Sequence, residues 1–261
     1  MSRPSYASDL TDEQWNKINA ALAPARNGRT GRPRKYSKRE VFNAIFYQAR
    51  TGCAWRHLPH DLPPWNAVWK QLRRWRDEGA IERVHNTLRE QVRQNTGKEA
   101  TPSAAILDSQ SVKTTQKGGG NGYDAGKKVK GRKRHIAVDT LGLLLAVVVH
   151  SAGIQDRDGA RLVCLRLRDK FTRLRLIWAD GGYSGQLIGW VAAFAGWTLQ
   201  IVKRCDKAKG FVVLPRRWVV ERTFAWLMKF RRLSRDYEET TTSSEAWIQI
   251  AMIHIMVRRL A

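Results

Sequence analysis

The spacing of apolar residues changes near residue 100, and that change limits the fold to two parts of different kinds. Before it, apolar positions recur with helical period. Thr11 with Gln14 forms a capping box, with Leu10 and Trp15 as its hydrophobic staple, and the helix runs to about Leu22 before Pro24. Ser37 with Glu40 repeats the pattern, Tyr36 and Val41 staple it, and Gly52 is a stop. A third helix starts at Pro64 and carries Trp65, Val68, Trp69, Leu72 and Trp75 along one stripe, with Gly79 at its end. A fourth places Ile81, Val84, Leu88 and Val92 on one face. The polar segment QNTGKEATPS follows, so the expected boundary separates a small all-α domain, residues 1–97, from residues 98–261.

After the boundary, short apolar runs alternate with helical patterns. AAILD reads as a short buried strand ending at Asp108, and KKVKGRKR (127–134) as a charged loop or strand entry. HIAVDT and LLLAVVVH read as a hairpin about a Leu-Gly turn. Residues 158–170 suit a helix, RLIWAD a strand ending at Asp180, residues 186–195 a helix and TLQIVK a strand. RRWVVERTFAWLMKF and EAWIQIAMIHIMV read as two closing helices. This order predicts a mixed α/β sheet with helices on both faces and ligands gathered at the strand ends.

Charge narrows the partners. The chain has 47 Lys+Arg against 23 Asp+Glu, a formal net charge of +24. Self-repulsion of that size calls for a polyanion, and nucleic acid is the obvious one. No apolar run approaches the roughly 18 residues that a membrane span needs, and no apolar leader is visible at the N-terminus. The expectation is a cytoplasmic, nucleoid-associated protein without a membrane partner. Cys53, Cys164 and Cys205 stand far apart and match neither a disulfide framework nor a zinc motif.

Three acids stand out. Asp108 and Asp180 each close an apolar strand, and Glu221 sits in an otherwise apolar and basic helix. Carboxylates with open coordination positions suit Mg²⁺, and paired ions serve phosphodiester chemistry. The plainer alternatives are turn capping for each Asp and an ion pair with Arg217 for Glu221. Asp139, Asp156 and Asp158 flank strands and have the chemistry to bind metal, but turn capping is the reading preferred for them, and His135 and His150 read as satisfied sheet histidines. GRPRK (31–35) has the composition of a minor-groove arm or of a solvated linker. GGGNGYDAGKK lacks the spacing of a nucleotide-binding loop.

Taken together, ILDSQSVKT, WADGGYSG, WVVERTFAWLMKFRRLSRDYE and the leader WRHLPHDLPPWNAVWKQLRRW resemble the DDE transposases of bacterial insertion sequences, family five. The resemblance runs from about residue 10 to 255. It implies an RNase H-like mixed-sheet catalytic domain behind a small helix-turn-helix-like DNA-binding domain. It also implies Asp108, Asp180 and Glu221 as a metal-binding triad for Mg²⁺, with Mn²⁺ as substitute and two ions in the site. The implied partner is double-stranded DNA, both element ends and target, held by a homodimer. In the last-helix signature Y-x2-R-x3-E-x6-K of related transposases, Arg217 and Glu221 match. Leu214 replaces the Tyr, and Met228 replaces the Lys, leaving Lys229 one position late or Arg222 in its stead. Expected DNA contacts are Arg32 and Arg34, then Lys70, Arg73 and Arg74 off the third helix's apolar stripe. Lys127, Lys128, Lys130, Arg132, Lys133 and Arg134 form a second group, and Arg217, Arg222 and Lys229 a third. The competing readings are a catalytically idle repressor descended from a transposase and an RNase H-like nuclease acting on hybrids or junctions.

Overall fold

The computed structural model describes residues 3–22, 35–115, 119–202 and 216–261. Arg32, Arg34, Pro24, Cys205 and Leu214 lie outside them. The described chain forms two compact units: residues 1–98 with 229–233 and 246–261, and residues 99–228 with 234–245. Compactness therefore groups the C-terminal segment with the first unit, where the sequence alone drew one boundary near residue 97.

The first unit contains α1 (Asp12–Ala21), α2 (Lys38–Thr51), α3 (Trp65–Asp77) and α4 (Ala80–Asn95). The Thr11–Gln14 capping box is complete in both directions. At α2, Ser37 Oγ accepts the Glu40 amide, but the Glu40 carboxylate turns away to accept from Arg3 and Asn43, so half of that expected box is absent. Gly52 closes α2 at φ +70, and a Cβ there would stand 3.1 Å from the Arg231 backbone. Val68, Leu72 and Trp75 of α3 and Val84, Leu88 and Val92 of α4 are buried as their spacing predicts, whereas Trp65, at the first position of α3, is exposed and Trp69 half-buried. Phe42 is the hub, 4.7 Å from Trp75, 5.9 Å from Phe46 and 6.1 Å from Trp15 between ring centroids.

The second unit is built on a six-stranded sheet. Its strands are β1 (Ala104–Lys113), β2 (Gly122–Asp124), β3 (Val129–Val138), β4 (Leu144–Ser151), β5 (Leu176–Ala179) and β6 (Thr198–Ile201). The order is β2-β3-β1-β5-β6, with β4 also paired to β3. β3 runs antiparallel to each of its partners β1, β2 and β4, whereas β1, β5 and β6 run parallel. The helices are α5 (Asp156–Arg168), α6 (Gln186–Ala195) and α7 (Trp218–Met228), and α8 (Thr241–Leu260) begins in this unit. Ala105 and Leu107 face a core with Val163, Leu167, Leu187 and Val191 of α5 and α6. By strand alternation Ile106 and Asp108 face the other way, where α7 packs on β1 and β3.

One expectation needs correction. β1 continues five residues past Asp108, because the polar SQSVK segment keeps pairing with β3 as far as Lys113 opposite Gly131. Of the two readings of the basic run, strand entry is the one that holds, since β3 starts at Val129. At the outer edge, β4 presents no bare backbone at its centre. The Val149 amide donates to Glu245 Oε1 at 2.9 Å, and Arg166 donates to the Val147 carbonyl while pairing with Glu245 at 2.7 Å.

Candidate active site

Parallel pairing of β1 with β5 sets Ile106 opposite Trp178. The same register carried two residues further along both strands sets Asp108 level with Asp180. Asp180 follows the last residue of β5 and caps the tight turn Gly181–Tyr183, its Oδ1 accepting the Gly182 amide at 2.8 Å. A Cβ at Gly182 would stand 3.0 Å from that oxygen, so the turn leaves the carboxylate its space. Asp108 lies within β1, not at its end; it clears its neighbour because β5 stops first.

The third acid comes from α7. The helix begins at Trp218, later than the expected residue 216, and Glu221 lies in its first turn. Arg217 therefore stands just ahead of the helix. Arg216 before it adopts φ +70, a left-handed conformation that costs a residue with a side chain on the order of 1 kcal/mol. Its guanidinium stacks on the Trp178 ring at 4.4 Å. The turn delivers Arg217 Nη2 to 3.8 Å from Asp108 Oδ2, 3.6 Å from Asp180 Oδ2 and 3.5 Å from Glu221 Oε1. Three carboxylates from two strands and a helix thus surround one nitrogen. Their exposure rises from 17% for Asp108 to 34% for Asp180 and 52% for Glu221. The Asp108 carboxyl is pushed up to about 6 by burial, with the Asp180 charge adding to the shift and the Ser109 amide, Arg217 and Lys127 opposing it. Among the described residues, no three His, Cys, Asp or Glu side chains stand together as a ready-made metal cage. These three gather around the guanidinium instead.

Behind Asp108 lies a polar cluster that sequence reading did not find. Ser109 Oγ donates to Asp156 Oδ1 at 3.0 Å, and Lys133 Nζ pairs with the same oxygen at 2.8 Å and with Asp124 at 3.4 Å. Both carboxylates are held below their ordinary range despite burial: Asp124 by hydrogen bonds from Ser111 and the Lys127 amide, Asp156 by Lys133 and Lys127. His135 bridges Tyr183 at 2.9 Å and His150 at 2.8 Å. Burial beside His150 lowers His135 to about 3, which matches the reading of two satisfied neutral histidines. Gly159 of α5 admits this pair; a Cβ there would come within 2.4 Å of His135. The one available signal was Asp156 in the first turn of a helix beside basic strands, and its partners are too distant in sequence to identify. Asp139 does cap its turn, accepting from the Leu141 and Leu143 amides, and Asp158 is exposed in the first turn of α5.

The expected DNA-binding cations divide sharply. Lys127, Lys128 and Lys130 are exposed. Arg132, Lys133 and Arg134 are buried, which corrects their assignment. Arg132 binds Asp236 and the carbonyls of Gly119, Glu238 and Glu239; Lys133 pairs as above; Arg134 donates to the Arg235 carbonyl. Arg222 is likewise engaged, between Trp218 and Trp226 at 4.4 and 4.6 Å and on the Leu141 carbonyl. Lys70, Arg73 and Arg74 are exposed on α3; Arg73 stacks on Trp69 and Arg74 pairs with Glu78. Lys229 is exposed beyond the end of α7 and groups with the first unit.

Residues 99–256, more than half of the chain, match the family model described as "Transposase DDE domain". The chain belongs to this family of DDE transposases, whose domain implies an RNase H-like fold, in keeping with the mixed sheet. Residues 10–85 match the model "Putative transposase of IS4/5 family", so the type is that of the IS4/5 insertion sequences. Similar chains include "Insertion element IS402 uncharacterized 16.2 kDa protein" of Burkholderia cepacia, 29% identical over 113 residues, 42% of this chain and 76% of that one. "Putative transposase for insertion sequence element IS402" of the same organism is 30% identical over 127 residues, 46% of this chain and 60% of that one. No described helix is long and apolar enough to cross a membrane.

Proposed function

We propose that the protein binds the terminal inverted repeats of its insertion sequence and catalyses metal-dependent strand cleavage followed by strand transfer. The observation that carries this is the convergence of Asp108, Asp180 and Glu221 on one cationic atom. The donor set is all oxygen, partly open, and already suited to positive charge, which fits a hard divalent cation. Asp108, Asp180 and Glu221 would hold Mg²⁺, with Mn²⁺ as substitute and two ions in the full site. When bound, such ions activate a water or 3′-hydroxyl and offset charge on the leaving oxygen. The protein's own part is positional. Asp108 and Asp180 are fixed at one level by strand register, and Glu221 is brought over them by α7. Arg217 lies where a scissile phosphate would meet it, and Lys127 flanks the site from the Ser109 side of β1, its Nζ 2.9 Å from Ser109 Oγ.

In this reading residues 1–97 supply a helix-turn-helix-like DNA-binding part, and α3 enters the major groove. Val68, Leu72 and Trp75 are turned inward, which leaves Lys70, Arg73 and Arg74 for phosphates and base edges. The catalytic role belongs to residues 98–261. The active form is a homodimer on DNA, since two element ends must be joined and two-fold symmetry pairs them most simply. The cytoplasmic nucleoid is the place where such a protein would work.

The test uses duplexes carrying the DNA that flanks the gene, with Mg²⁺. Wild-type protein should nick at the element ends. Asp108→Ala, Asp180→Ala and Glu221→Ala should each reduce nicking by at least about 10³-fold, the triple variant being no worse than the singles, while end binding persists. Nicking by Asp108→Ala at the wild-type rate would overturn the triad. Specific end binding without any cleavage by wild type would favour the repressor reading instead.

A further inference from the structure

We infer that Arg217 is a positioning residue that stands in for the metal: it holds the three carboxylates together in the DNA-free protein and must leave them before divalent ions are bound. The inference rests on the triad reading above. One nitrogen, Nη2, lies 3.5–3.8 Å from an oxygen of each acid. That is where a cation shared by all three would sit, so a divalent ion and the guanidinium compete for the same space and charge.

The contacts also have the character of a loose hold. A guanidinium normally grips a carboxylate through two parallel short hydrogen bonds. Here a single nitrogen is spread over three acids, and the 3.5 Å approach to Glu221 is its closest. Arg217 is placed there by the turn ahead of α7 rather than by the helix, with Arg216 left-handed and anchored on Trp178. The side chain can swing while Glu221, inside the helix, stays in place.

Charge makes the exchange conditional on DNA. Three ionised acids carry three negative charges, and Arg217 cancels one. Once Arg217 has swung out, a first divalent ion leaves the three acids with one negative charge, and a second leaves one positive charge with the displaced guanidinium adding another close by. That excess in a partly buried site is costly unless an anion arrives. A phosphodiester is that anion. It gives the guanidinium a new partner and admits the ions, so metal and DNA each favour the other's binding. Bare protein keeps its carboxylates assembled without repelling one another and without activated water.

The test measures Mn²⁺ bound by the full-length, DNA-free protein, reading free Mn²⁺ by electron paramagnetic resonance. Wild type should bind weakly. Arg217→Ala and Arg217→Gln should bind Mn²⁺ at least about ten-fold more tightly, and Arg217→Lys should stay near wild type. In EDTA the neutral variants should melt below wild type, and Mn²⁺ should raise their Tm more than it raises that of wild type. Equal or weaker Mn²⁺ binding by both neutral variants, with native near-ultraviolet circular dichroism, overturns the inference. Adding Asp108→Asn to Arg217→Gln separates the two ideas. Loss of the gain supports both, whereas a gain that survives Asp108→Asn means the ion binds elsewhere and the triad reading fails.

Discussion

Asp108 is where folding and function pull against each other. Its carboxyl stands near 6 because burial disfavours the ionised form, whereas the proposed metal binding requires that form. A folded value above the ordinary one means the folded state holds its proton more tightly. The stability linked to that proton is complete below about pH 4 and is lost as pH rises through about 6. At pH 7.5 without divalent metal, Asp108→Asn should therefore be more stable than wild type, by about 3 kcal/mol at roughly 1.4 kcal/mol per pH unit. The gap should close below pH 4. Thermal melts across that range decide it, and an Asn variant less stable than wild type at pH 7.5 would contradict the electrostatic account. Asp180 and Glu221 could be picked out from their local settings, one at the end of an apolar strand and one on a basic helix. What could not be read was the role of Arg217 as their common neighbour, which depends on the backbone of Arg216.

Elements were legible where period alone decides them. α1 to α4, the hairpin and α6 match their patterns because each buries one simple face. β1 was underestimated because SQSVK is polar and its partner, β3, is itself a basic run; two polar segments that pair with each other give no periodic signal. The same blindness misassigned Arg132, Lys133 and Arg134. Six cations in close succession look like a phosphate-binding strip, but Arg132 pairs with Asp236, Lys133 with Asp156 and Asp124, and Arg134 donates to the Arg235 carbonyl. This division predicts separable phenotypes. Arg132→Ala strands the buried Asp236 charge and should cost about 3–5 kcal/mol of stability. Lys128→Ala and Lys130→Ala should leave stability within about 0.5 kcal/mol, while each lowers the salt slope of DNA binding by about one. Denaturant melts and binding titrations over a range of salt read both. Equal destabilisation by all three variants would remove the distinction.

At the scale of the whole molecule, a net charge of +24 is a standing repulsion. The buried pairs dispose of only part of it. Raising ionic strength from about 10 to 150 mM shortens the screening length from about 30 Å to about 8 Å, so Tm should rise by several degrees. A short duplex should give a similar rise at low salt, and that gain should vanish by about 0.5 M salt. A Tm that falls with added salt over this range would mean that attractive ion pairs outweigh the repulsion.

The hold of Arg166 and Glu245 on β4 bears on how copies of the chain can meet. A strand with open amides and carbonyls at the margin of a sheet is an invitation to another chain's strand. Here the Val149 amide and the Val147 carbonyl are already taken by side chains of the same unit. A second copy cannot continue the sheet across the middle of β4 without displacing the Arg166–Glu245 ion pair. On that side the protein is guarded against strand-by-strand fibre growth.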